Sequence, residues 1–180
     1  PDHNPSVTPP RNPNTMKTLP FLGTLIATLM PVGAMAELVN VALDRPVSVS
    51  SVKGTDTPGS FAVDGEISGG RWVSDPNLEM PHWIEIELDG LYELSQFKYW
   101  NGHNGEYGFP LADFALQYWD GTTWQDVHSV VGSTNDGIVD VSFPPVQVSE
   151  RVRMHFTEGV DTSIVRLYEL EIYGEPADLQ

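Results

Sequence analysis

The stretch Trp83-Ile84-Glu85-Ile86-Glu87-Leu88 decides the fold class. Apolar and charged residues alternate strictly, which puts Ile84, Ile86 and Leu88 on one face of a strand and Glu85 and Glu87 on the other. The same period of two returns in Arg151 to Phe156, where Val152, Met154 and Phe156 oppose Arg151, Arg153 and His155. Working outward, strands are predicted at 47–52, 83–88, 94–100, 113–119, 123–130, 137–143, 151–157 and 165–173. No stretch of a dozen residues holds a helical period after residue 37. Short strands separated by Pro, Gly, Asp and Asn clusters predict an all-β, two-sheet antiparallel sandwich or jelly roll. Asp120-Gly121 between alternating segments predicts a tight hairpin, with Trp124 in the core and Trp119 partly exposed.

The chain has 180 residues and a formal net charge of −16. Met16-Lys17, an apolar run from Leu19 to Val32 and the ending Ala34-Met35-Ala36 have the three parts of an export signal over 16–36. The run is shorter than the roughly 20 apolar residues a membrane-spanning helix needs. A secreted or periplasmic protein is therefore expected. Residues 1–15 are proline-rich and nearly free of apolar side chains, so disorder is expected there. The remainder, 37–180, suits one domain with a substantial core. The acidic surface argues against nucleic acid and anionic membrane as partners and favours divalent cations and neutral ligands. There is no cysteine, so a sufficient core or a metal must replace the disulfides common in exported domains.

The loop Ala62-Val63-Asp64-Gly65-Glu66-Ile67-Ser68-Gly69-Gly70-Arg71-Trp72 combines a hard anionic oxygen with glycines that let carbonyls turn toward a common point. That suits calcium, which takes six to eight oxygens; an ordinary Asp-Gly turn would read the same. No motif for nucleophilic, zinc-hydrolytic or phosphate-cradling chemistry is present. The carboxylate pairs Glu85/Glu87 and Glu169/Glu171 lie about 7 Å apart by strand rise, but such pairs follow automatically from alternation. No catalytic residue is assigned.

Asn40-Val41-Ala42-Leu43 with 46–51, then Ala62-Val63-Asp64-Gly65 to Arg71-Trp72, 83–88, Asp120-Gly121-Thr122-Thr123-Trp124 and the ending Tyr168-Glu169-Leu170-Glu171-Ile172-Tyr173-Gly174 occur in the order of the coagulation-factor type C, or discoidin, domain. The chain resembles that family over 39–174, and its bacterial members are similar to carbohydrate-binding module family 32. The resemblance implies a galactose-binding-like jelly roll that acts as a lectin, with protein- or matrix-adhesion as the alternative. It also implies a structural calcium ion held by Asp64, the carbonyls of Phe61 and Glu66, Ser68, Glu169 and the Tyr168 carbonyl. The family's loop usually carries a Thr just before the Arg-Trp position; here Gly69-Gly70 stand there, so either the Ser68 hydroxyl or a glycine carbonyl is the expected ligand.

The resemblance further places the glycan or polysaccharide site in loops at one end of the sandwich. The candidates are Trp100, Asn101, His103, Asn104, Glu106 and Tyr107, with Phe109 beside them, and Asp75, Asn77 and His82 from a second loop. Planar polar groups pair with sugar hydroxyls and aromatic rings cover sugar C–H faces. The aromatics equally suit closure of the sandwich end. The family's usual galactose triad is absent, because glycine stands where an Asn follows, so the sugar is left open.

Overall fold

The computed structural model describes residues 37–178. The upstream segment 1–15 and the expected export signal 16–36 lie outside the described residues. Eleven strands form: β1 (Val39–Asn40), β2 (Val47–Val49), β3 (Trp72–Val73), β4 (His82–Glu87), β5 (Tyr92–His103), β6 (Glu106–Tyr107), β7 (Leu111–Trp119), β8 (Trp124–Val130), β9 (Ile138–Val148), β10 (Arg151–Gly159) and β11 (Arg166–Pro176). A 3-10 helix, Gly59–Val63, precedes β3. One sheet runs β1-β11-β5-β6, with β3 also on β11 and β9 also on β5; the other runs β2-β4-β10-β7-β8. All pairings are antiparallel.

The core forms where the predicted apolar faces meet. Ile84, Ile86, Val152, Met154 and Phe156 are buried, as alternation requires. Tyr99 meets Phe114 and Phe156 edge-to-face at 5.3 and 5.8 Å, the favoured geometry for aromatic quadrupoles. Trp72 is fully buried and donates Nε1–H to the Ser51 carbonyl at 2.9 Å, locking the loop before it to the core.

All eight expected strands are present, with three instructive differences. β9 continues through Pro144-Pro145 to Val148, past the expected end at Phe143. It pairs only with β5, and an edge strand tolerates residues without an N–H. The expected core residue Trp124 instead lies half-buried against Trp119, under Arg151 and Arg153 at 5.7 and 4.4 Å. Cation stacking holds it on the outer face. The two-residue strands β1, β3 and β6 carry no periodic signal and exist because β11 and β5 offer partners. Pairing of Val39 with Gly174 brings the two ends of the domain together.

Candidate functional site

Two groups of polar residues on or beside β11 lack the partners that their burial or charge calls for. The first is Glu169. Its side chain is fully buried and neither carboxylate oxygen has a hydrogen-bond partner. Burial, reinforced by the charges of Asp64 and Glu171, pushes its pKa up to about 8. The backbone amides of Gly65 and Asp64 approach and oppose that shift without reaching hydrogen-bonding geometry. The sequence positions this group through the Asp-Gly turn. Asp64 Oδ1 accepts from the Glu66 amide at 3.0 Å, and Gly65 adopts φ 81°, which a side chain would strain. The 3-10 helix that leads into the turn packs on β11.

Asp64, Glu169, Phe61, Glu66 and Ser68 thus belong to two elements in contact, and Tyr168 adjoins Glu169. Among the described residues no third His, Cys, Asp or Glu joins the two carboxylates. Any further oxygens must come from carbonyls or from exposed Ser68. A buried unpartnered carboxylate beside a second one fits a hard cation, and carbonyl oxygens are ligands such a cation accepts.

The second group lines a pocket of about 240 Å³ at one end of the sandwich, formed by Lys53, Arg71, His103 and Arg166 with Asp56, Thr57, Val73, Pro76 and Ile164. The β5–β6 hairpin brings His103 there. Its turn is close because Gly102 lies against the Glu106 carbonyl, where a Cβ would overlap. Arg71 Nη2 lies 2.9 Å from His103 Nδ1. A guanidinium can only donate, so Nδ1 accepts and the ring proton sits on Nε2. Partial burial and the charges of Arg71, Arg166 and Lys53 hold the His103 pKa below its ordinary value, consistent with a neutral ring. Arg71 also lies over the Tyr168 ring at 5.5 Å, and Arg166 over exposed Phe109 at 4.6 Å.

The hairpin is fixed to the Asp64 loop. Tyr107 Oη donates to the Ile67 carbonyl at 2.9 Å, and the Gly105 amide donates to Tyr168 Oη at 2.8 Å. The pocket wall and the carboxylate pair are therefore mechanically one unit.

Of the sequence candidates, His103 lines the pocket, Tyr107 braces it, and Asn104 and Glu106 are exposed at the hairpin tip. Three others require correction. Asn101 is fully buried. Its Nδ2 donates to the Phe109 and Gly108 carbonyls at 2.7 and 3.2 Å, and its Oδ1 accepts from the Arg166 amide at 2.7 Å, so it pins a loop to β11 and has nothing left for a ligand. His82 is 1% exposed in β4, beside Ser50 Oγ at 3.3 Å, and cannot reach a sugar. Trp100 alternates with buried Tyr99 and Asn101, lying opposite Ile138 and Glu169 on the sheet face and away from the pocket wall. Asp75 organises its own loop, with Oδ1 accepting from the Asn77 amide and side chain at 2.9 Å. Sequence reasoning missed Lys53, Asp56 and Arg166 and read Arg71 only as part of the loop that closes on Trp72.

A larger, more open concavity of about 330 Å³ lies on the β7–β8–β10 face. Its Asp126 is already held by Gln117 and Ser129 at 2.6 and 2.8 Å, so it offers less unsatisfied polar chemistry. Glu85, one of the paired strand carboxylates, is bonded to Arg151 at 2.7 Å.

An antiparallel jelly roll with a concave, cation-lined pocket at one loop end has the layout of a binding module. The chain belongs to the F5/8 type C domain family, whose model matches residues 46–170. It is similar to chitosan-binding module 2 of a chitosanase/glucanase from Paenibacillus sp. IK-5, solved in complex with chitotriose, at 26% identity and TM-score 0.65 over 75% of this chain and 100% of that one. The same fold is found in the family 32 carbohydrate-binding module of C. perfringens NanJ, solved in complex with galactose, at 18% identity and TM-score 0.64 over 76% and 99% of the two chains. It is found again in the lectin-binding domain of lectinolysin, complexed with Lewis b, at 19% identity and TM-score 0.61 over 77% and 97%.

Proposed function

We propose that the protein is an exported, non-catalytic carbohydrate-binding module whose ligand occupies the pocket of Lys53, Arg71, His103 and Arg166, bordered by Phe109. The observation that carries the reading is the Arg71–His103 hydrogen bond. It presets a planar donor pair beside an exposed ring, the combination that orients hydroxyls while covering a sugar's apolar face. The carbohydrate ligands of the similar structures support the class of partner. Export rests on the 16–36 pattern alone.

We also propose that Asp64 and Glu169 hold a structural calcium ion with the Phe61, Glu66 and Tyr168 carbonyls and either Ser68 or a glycine carbonyl. What supports it is the unpartnered, buried Glu169 carboxylate beside the Asp64 turn. A bound ion would keep Glu169 ionised and steady the loop that Tyr107 grips; the ion itself takes no part in sugar contact. A glycan array of the full chain, with and without EDTA, tests both: specific retention that weakens or vanishes with EDTA is expected. Binding only to cell-surface or matrix proteins, uncompeted by free sugar, would replace the lectin reading with the adhesion one.

A further inference from the structure

The charge of the chain is strongly negative, yet its few cations are not evenly spent. Arg45, Lys98 and Arg151 have carboxylate partners in Asp89, Asp140 and Glu85 at 2.6, 3.0 and 2.7 Å. Arg153 donates to Gln117 at 2.7 Å and stacks on Trp124. Among the described residues the remaining three Lys and Arg, Lys53, Arg71 and Arg166, line the same pocket, and none of them has a salt bridge there. Asp56 is the one acid on that wall, and it is exposed.

Arg71 and Arg166 are also close enough for their like charges to matter. Partial burial, then the Arg71 charge, lowers the Arg166 pKa. Arg71 Nε is buried without a hydrogen-bond partner, and the Arg166 guanidinium has only two long contacts, to Thr162 Oγ1 at 3.3 Å and the Ile164 carbonyl at 3.4 Å. Two guanidiniums and an ammonium around a concave site, with donors to spare, lack an anion. Guanidinium forks match the geometry of carboxylate and sulfate oxygens.

Resting on the carbohydrate reading of this pocket, we propose that its ligand is an acidic saccharide, one carrying a carboxylate or sulfate group that Arg71, Arg166 and Lys53 receive while His103 and Phe109 take the rest of the sugar. A protonated amino sugar would place a fourth positive charge among three and is excluded. The acidic surface elsewhere repels long anionic polymers, so short acidic segments or chain ends bind best at ionic strength that screens the distant charges without abolishing the contact pair.

Calorimetric titration of the full, calcium-supplemented chain tests this with four probes: trigalacturonate, galactose 6-sulfate, galactose and a glucosamine trimer. The expected result is that one or both acidic probes bind about tenfold or more tighter than galactose, and that the glucosamine trimer gives no heat. Which acidic probe wins identifies carboxylate or sulfate as the recognised group. K53Q, at an exposed position, and R71Q each weaken the acidic probe by roughly three- to tenfold and by more than they weaken galactose. R45Q, outside the pocket, changes neither, and melting curves confirm that each variant is folded. Galactose binding as tightly as the acidic probes, or indifference to K53Q and R71Q, would overturn the proposal while leaving the lectin reading intact. Silence from all four probes and from the glycan array would overturn both.

Discussion

Glu169 and the Arg71–Arg166 pair sit along or against one strand, and each lacks an opposite charge, but they resolve the deficit differently. Glu169 is fully buried, so its charge has only two remedies, a proton or a cation, and its raised pKa shows how poorly the ion-free site tolerates ionisation. The pocket cations are partly exposed and remain charged in contact with water. The buried deficit therefore shapes stability and the exposed one shapes recognition. Calcium at the first and an acidic sugar at the second would neutralise opposite signs within one braced unit.

The largest effect should come from removing the ion. A ligand held at a hundred times its dissociation constant stabilises by about 2.7 kcal/mol, so EDTA should lower the melting temperature by about 10 °C for a domain of this size. The loss depends on pH. In the ion-free protein the folded state keeps a proton on Glu169 that the unfolded chain releases near the ordinary value of 4.5. Stability from this group is thus fully present below that value and is lost as pH rises toward 8, by up to a few kcal/mol. Calorimetry in EDTA should show a lower melting temperature at pH 8 than at pH 5, and E169Q should remove both the pH slope and the response to calcium. A calcium response surviving in E169Q would place the ion elsewhere.

Next in size is Asn101→Ala, which removes a fully buried side chain and strands the part-buried Arg166 amide and Phe109 and Gly108 carbonyls. A loss of about 2–3 kcal/mol in chemical denaturation is expected, together with weaker sugar binding because the Phe109 loop comes loose. His103→Ala reverses that balance. Its side chain is half-exposed, so the melting curve should move little while glycan affinity falls roughly tenfold. Trp100→Ala should leave affinity unchanged, since Trp100 is not on the pocket wall; a clear loss would move the site to the sheet face.

The frame was legible because alternation leaves little choice. Residues such as Ile84, Ile86, Val152 and Met154 can only face one side of a strand, and both strands fell into the same core. The Asp64–Gly65 turn was legible too, as a glycine-rich loop closed by a buried tryptophan. Residue chemistry failed where it could not see neighbours. Asn101 has the right groups for a sugar but spends them on backbone, and Trp124 has the bulk of a core residue but lies under two arginines. Lys53, Arg71 and Arg166 are far apart in sequence, and nothing local marks them as a set. Only the pairing of β3 with β11, and the bond from the Lys53 amide to the Val73 carbonyl, bring them to one place.

The most direct test of the account is to map bound saccharide on the calcium-loaded chain by amide chemical-shift perturbation. The account predicts shifts concentrated at Lys53, Arg71, His103, Phe109 and Arg166, and their collapse when EDTA removes the ion. Shifts centred on Trp119 and Trp124 across the opposite sheet would contradict it.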